Sequence, residues 1–431
     1  MQRKENLKQE FNLKEIELGA YYPGVYIIKL NKTFHENMQY DEFSKQDWQT
    51  FIHEYVHFLQ DISTGRGYLY FQHKAQLMNL CFYVLQKDKD NEIRLPLMLE
   101  ETGIKDAFEK TTLLQFYEGD SSLKKIHHIN RFLPEKDVIA SEVIFPEKNI
   151  DLYSFNFYVD DSSIPYTFGN LCIAESMAYL IERCLFGAEE RKNELPYNSC
   201  ELVCKLKCPE LLGYKDKIVK ICEVSLMHDD CAKYFCGLVD MCREYKAYDF
   251  SDESFDEFCK KNIDAQWREF DMAFKKAIDG IDILFPEKFP YTFVVNMQLK
   301  ALLECGHNYR AGRALFISDV FGQSNPTYYF QQLIDLMPFP MIIDGNGDFY
   351  GSEGMQNLPV AQSVLSLLLD RSDVGCALKE YCKKSKLENY DEWMCTESPW
   401  SQCKKEGVCP LAVYFLGYRV DKLNYTWRYK E

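Results

Sequence analysis

The sequence predicts an α+β protein, mainly α-helical, with a small sheet near its N-terminus and a helical, cysteine-bearing C-terminal part. Two observations carry this: apolar residues recur at helical spacing over most of the chain, and one β-branched and aromatic run follows a Pro-Gly turn. No internal repeat or low-complexity linker interrupts the pattern.

In chain order, a charged leader of about 18 residues precedes Pro23-Gly24, and the run Val25 to Leu30 then reads as a strand. Ser44 with Asp47 three residues on forms a capping-box pattern. Trp48, Phe51, Ile52, Tyr55, Val56, Leu59 and Ile62 follow at helical spacing up to Gly65, which predicts a helix over 45–63. A second helix is predicted over 68–87, and Pro165 and Gly187 bracket a third over 168–186. The stretch 88–165 is mixed and reads as insertions, with one strand-like alternation from Leu152 to Val159. Helical pattern returns over 200–310, and the Asp344-Gly345-Asn346-Gly347-Asp348 turn sits between short apolar runs that pair as a hairpin.

The chain has 431 residues, 46% hydrophobic and 27% charged, so it can bury a sizeable core. No apolar run approaches the roughly 18 residues that a transmembrane helix needs. With 50 basic and 66 acidic residues the net charge is −16, which repels a phosphate backbone and argues against nucleic acid as the main ligand. The N-terminus mixes acids with bases and has no apolar segment of the signal-peptide kind, so a cytoplasmic protein without a membrane partner is expected. The 17 cysteines are then expected to be reduced. Cys200, Cys204 and Cys208, four apart, read as one buried helix face.

The chemistry-bearing motif is His53-Glu54-Tyr55-Val56-His57, in the middle of the first predicted helix. Residues four apart lie one above the other on a helix, so both imidazoles can reach one metal ion, while Glu54 is offset by about 100°. Zinc bound there would lower the pKa of a water towards about 7 and polarise a carbonyl, with Glu54 as the general base.

On this motif the chain resembles the zincin metallopeptidases over roughly residues 20–190. The resemblance implies a helix bearing the motif behind a small sheet with a substrate-binding edge strand. Metzincins carry Gly and His three and six residues past the second His, where this chain has Gln60 and Ser63, so the gluzincin-like branch fits better. There the third zinc ligand is a Glu on a later helix, and Glu175 in Leu171 to Tyr179 looks like that segment. The same stretch with Glu182 and Arg183 also reads as the polar stripe of an amphipathic helix. Glu182 is the backup ligand or an outer partner, and Asp61, four residues past His57, is a candidate acceptor for an imidazole N–H. Tyr179 is the candidate oxyanion donor, with Tyr166, His228 and His307 as less specified alternatives. Arg310 and Arg313 read either as a structural pair or as a substrate carboxylate site.

Cys376, Cys382, Cys395, Cys403 and Cys409 crowd the C-terminal segment. The last four are candidate ligands of a second metal, although their spacing matches no zinc motif and buried thiols are the plainer reading.

The expected organisation is a zincin-like metallopeptidase core over 1–190 with an insertion at about 88–165, a helical domain over 191–370 and a Cys-rich segment over 371–431. The expected function is zinc-dependent hydrolysis of peptide bonds in a protein or peptide substrate. The alternatives are a non-catalytic binding or regulatory protein with structural zinc, and a metal-dependent hydrolase of a non-peptide amide.

Overall fold

The computed structural model describes residues 19–34, 43–87, 92–95, 97, 113–126, 128–144, 151–160, 164–187, 194–287, 290–351, 358–369, 376, 378–384, 386–405, 409–418 and 426–429. The charged leader and much of the 88–165 segment lie outside them. The architecture is mainly helical with small sheets.

β1 (Gly19–Tyr22) and β2 (Ile27–Leu30) form an antiparallel hairpin around Pro23-Gly24, where Gly24 takes a left-handed φ of 69°. β1 was not legible: four residues ending at a proline carry too little alternation. The capping box is made in full, Asp47 N–H donating to Ser44 Oγ at 3.2 Å and Ser44 N–H to Asp47 Oδ2 at 2.9 Å, and it starts α1 (Lys45–Ser63). From Phe51 onward nearly every residue of α1 is buried, the polar ones included. Phe58, Leu59 and Ile62 have no exposed surface, each contributing about 1.5–3 kcal/mol of apolar burial.

α2 (Gly65–Lys87) follows at once. A three-stranded antiparallel sheet comes next, β3 (Ile129–Lys136), β4 (Tyr153–Val159) and β5 (Tyr166–Phe168), with the short helix α3 (Val138–Ile144) between its first two strands. α4 (Asn170–Phe186) is a mostly apolar helix ended by Gly187 at φ 56°, whose N–H reaches Arg183 O at 2.9 Å.

The helical region then supplies α5 (Ser199–Lys207), α6 (Lys215–Ser225), α7 (Cys231–Glu244), α8 (Asp252–Leu284), α9 (Pro290–Gly312) and α10 (Pro326–Leu336). Cys200, Cys204 and Cys208 are fully buried, and all 17 cysteines are free thiols. α8 lies along α2, with Tyr68 packed on Phe270 and Phe274 at ring-centroid distances of 5.3 and 5.5 Å. α9 crosses the end of α1 so closely that a Cβ on Gly306 would stand 2.1 Å from Ile62 O.

The hairpin expected around 344–348 exists as β6 (Met341–Ile343) and β7 (Phe349–Tyr350). β6 also pairs in parallel with β2, Ile27 opposite Met341, giving the order β1-β2-β6-β7. The small sheet is therefore completed from far downstream, and one apolar cluster runs from Val25 to Phe415. α11 (Leu358–Leu369) leads into the tail helices α12 (Lys379–Lys384), α13 (Glu392–Glu397), α14 (Pro399–Cys403) and α15 (Pro410–Gly417). Among the described residues no helix is long and apolar enough to cross a membrane.

Candidate functional site

His53 and His57 sit one turn apart on α1 and face α4, which packs alongside and presents Glu175 and, two turns further, Glu182. Glu175 bridges the imidazoles: Oε2 is 3.1 Å from His53 Nε2 and Oε1 is 3.5 Å from His57 Nε2. One ligand atom from each of His53, His57 and Glu175 lies within 4.8 Å of the other two, and among the described residues no other group of three or more His, Cys, Asp or Glu comes as close.

The outer ring nitrogens are held from behind. His53 Nδ1 meets Glu182 Oε2 at 3.3 Å, and His57 Nδ1 meets Gln60 Oε1 at 2.9 Å. Gln60 Nε2 in turn donates to Ala174 O at 3.1 Å, which leaves its oxygen to accept and so places the His57 proton on Nδ1. His57 Nε2 is buried without a hydrogen-bond partner and lies 3.5 Å from Glu175 Oε1. A buried carboxylate oxygen facing an imidazole nitrogen calls for a proton or another positive charge between them. Burial by itself would lower the His53 pKa, but its hydrogen bonds to Glu175 and Glu182 outweigh that and raise it to about 10. Burial also opposes ionisation of Glu175, yet the two imidazoles hold it well below the usual carboxylate range.

Glu54, next to His53, points towards the sheet edge and accepts the backbone N–H of Tyr21 in β1. Its pKa is raised, first by burial and further by Glu175, against the opposing pull of His53 and His57. Tyr21 also lays its ring over His57, centroids 6.3 Å apart at 22°. A Cβ on Gly19 would stand 2.6 Å from Thr50 Cγ2, so the absence of a side chain there lets β1 lie against α1.

Asp61 does not serve an imidazole. It accepts from Tyr21 Oη and Gly24 N–H, both at 3.0 Å, and faces Arg66 at 3.5 Å, because the β1–β2 turn folds down onto its side of α1. Gln60, one residue earlier, takes the role expected of it. Tyr179 is also displaced from its expected place: it is buried under Arg183 with its ring against Tyr197, and the ring beside His53 is Tyr197, 5.9 Å away at 70°. Neither Gln60 nor Tyr197 carried a sequence signal strong enough to single it out; with 29 tyrosines, Tyr197 had none.

The remaining candidates have partners of their own. Tyr166 Oη donates to Asp120 O and Ser122 O, both at 3.1 Å. His228 stacks on Tyr234, and His307 stacks between Phe270 and Phe274. Arg310 is fully buried in an ion pair with Glu223, while Arg313 binds Asp319 at 2.6 Å. In the tail, Cys403 Sγ and Cys409 Sγ are 3.6 Å apart, and Cys376, Cys382, Cys395 and Cys409 line one cavity. No family model, curated protein or solved structure matches this chain.

Proposed function

We propose that the chain is a zinc-dependent metallopeptidase of the zincin type, gluzincin-like, in which His53, His57 and Glu175 hold the metal and Glu54 is the general base. The observation that carries this reading is the convergence of the three ligand atoms within 4.8 Å, with each imidazole fixed from behind by Glu182 or Gln60. The donor set fits a divalent cation: three carboxylates, Glu54, Glu175 and Glu182, crowd two imidazoles in a largely buried place, and a proton on His53 offsets only one of them. Two His with one Glu is a ligand set that catalytic zinc uses, and zinc bound there would acidify a water and polarise a carbonyl.

The chain's own residues supply the rest. Glu54 is placed to take the proton of an attacking water and return it to a leaving amine, and its raised pKa suits a group that must do both. β1 is the outermost strand of its sheet and lies over α1. An extended peptide adding to that edge would bring its carbonyls past the His pair. Tyr197 is the side chain beside His53 that could donate to a developing oxyanion.

The direct test is metal content. Wild type purified without chelator should carry one zinc per chain at this site, and His57→Ala should lose it; retention of all zinc by the variant would end the assignment. A second expectation concerns pH. His53 must release a proton before it can bind metal, so zinc affinity of chelator-treated protein should climb as pH rises from about 6.5 towards about 10. The sign for stability is opposite. A folded pKa raised above the unfolded 6.5 contributes stability that is fully present below 6.5 and lost as pH rises through about 10. Chelator-treated protein should therefore unfold more easily in that window, and a flat response in both measurements would contradict the proton–metal exchange.

A further inference from the structure

Two thiols in the tail are placed to react with each other. Cys403 is the last residue of α14 and Cys409 immediately precedes α15, and their sulfurs stand 3.6 Å apart. Among the described residues no third His, Cys, Asp or Glu joins them at the spacing of metal ligands, so the chemistry open to them is that of a sulfur pair. A disulfide has its sulfurs about 2.05 Å apart, so the pair must close by about 1.5 Å, which small side-chain rotations cover.

The two sulfurs are not equivalent. Cys409 is half-buried and stands ahead of Pro410, the first residue of α15, in the position where a helix presents its unsatisfied N–H groups. The N–H groups of Leu411 and Ala412 are directed at its sulfur, as they would be at the oxygen of a capping serine. Cys403 is buried and donates its S–H to the same sulfur. The Cys403 S–H and the two amides outweigh burial and lower the Cys409 pKa, whereas burial raises those of Cys376, Cys382 and Cys395 in the same tail. The thiolate is the nucleophilic form of cysteine, and a helix N-terminus is one of the environments that stabilise it. Cys409 also lines a cavity whose walls include Leu378, Leu387, Tyr390, Pro399 and Leu411, with Glu388 among them. An apolar lining with one carboxylate admits a small neutral molecule more readily than a bulky anion such as glutathione disulfide.

We propose that Cys409 and Cys403 form a peroxide-reactive dithiol that closes reversibly to a disulfide. The Cys409 thiolate attacks one oxygen of a hydroperoxide, the O–O bond breaks, and the departing oxygen takes a proton and leaves as water or an alcohol. The Cys403 sulfur then attacks the sulfenic acid formed on Cys409: the S–S bond replaces the S–O bond, and the hydroxyl leaves as water with the proton from Cys403. In all, the two thiols give up two electrons and one peroxide is reduced, and an external dithiol reverses the closure by exchange. The disulfide ties the end of α14 to α15, whose far end Tyr418 anchors on Phe82 of α2, centroids 4.0 Å apart at 9°. None of these residues belongs to the group on α1 and α4.

The test uses the full chain, reduced and then freed of reductant, with hydrogen peroxide as the probe. Remaining thiols are blocked by alkylation, and trypsin, which cuts at Lys404 and Lys405, separates Cys403 from Cys409 unless a disulfide joins them. A linked Cys403–Cys409 peptide should form at least about tenfold faster than any other cysteine is oxidised, and a dithiol reductant should remove it. Fragmentation distinguishes it from a Cys395–Cys409 link, because Cys395 shares a tryptic peptide with Cys403. In Cys403→Ser the reaction should stop at a sulfenic acid on Cys409 that a cyclic diketone traps, and in Cys409→Ser the Cys403 thiol should no longer react. If either variant misfolds, the linked peptide from wild type decides alone. Oxidation of folded wild type that leaves this pair unlinked, or that links Cys409 to another cysteine first, overturns the proposal. So do a Cys409 that escapes oxidation in Cys403→Ser and a Cys403 that stays equally reactive in Cys409→Ser.

Discussion

Glu54→Gln is expected to keep the fold and the metal while lowering peptide turnover by about 10²- to 10⁴-fold, the usual contribution of a positioned proton-transfer group. That is about 2.7–5.4 kcal/mol of transition-state stabilisation at about 1.36 kcal/mol per decade. Gln matches Glu in volume and still accepts the Tyr21 N–H through its amide oxygen, so the β1–α1 contact survives. It cannot take a proton from water. His53, His57 and Glu175 are untouched, so zinc content should stay at the wild-type level. The natural Glu54 has its pKa raised mainly by burial, which moves a carboxylate towards the range where it can both accept and return a proton near neutral pH. Fragment formation from an unfolded protein mixture, followed by mass spectrometry, checks the outcome. Unchanged cleavage would remove Glu54 from the chemistry. If neither wild type nor variant cleaves any peptide or amide, while His53→Ala lowers thermal stability, the metal has a structural role instead.

The features legible in the sequence were those with local causes. The capping box at Ser44, the helical period through Ile62 and the glycine stop at Gly187 are encoded within a few residues of where they act. That was enough to place His53 and His57 on one face of a helix and Glu175 on another helix. The rest depends on pairings between distant segments. β1 is four residues long and acquires its position from Gly19 against Thr50 and from the turn pinned by Asp61. β6 joins β2 across most of the chain, and no periodicity encodes that register. Asp61 and Gln60 show the same limit at the scale of one site. Both lie on the histidine side of α1, and which of them serves His57 is decided by what packs above, the β1–β2 turn over Asp61 and the Ala174 carbonyl beside Gln60.

Arg310→Met is expected to destabilise the protein by about 3–5 kcal/mol, the cost of breaking a buried pair and leaving the other charge uncompensated. Native domains are stable by only about 5–15 kcal/mol, so the unfolding midpoint should fall well below that of wild type. Arg310 has no exposed surface. It donates to Ser63 O at 3.0 Å, to Ser63 Oγ at 3.1 Å and to Ala314 O at 2.6 Å, besides its ion pair with Glu223. Glu223, equally buried, also accepts Ile317 N–H at 3.2 Å and Ser318 N–H at 2.8 Å. The cluster thus joins α6, α9 and the segment after α9 to the last residue of α1, the helix that carries both histidines. Removing both charges in Arg310→Met with Glu223→Met should recover part of the loss, because no lone charge stays buried. The recovery should be incomplete, since the amides of Ile317 and Ser318 lose their acceptor and each buried unsatisfied donor costs about 1–3 kcal/mol. Denaturant midpoints of the two variants decide this. A double variant no better than Arg310→Met would mean that the hydrogen bonds, not the charge pair, hold the end of α1. A single variant within about 1 kcal/mol of wild type would mean that neither does.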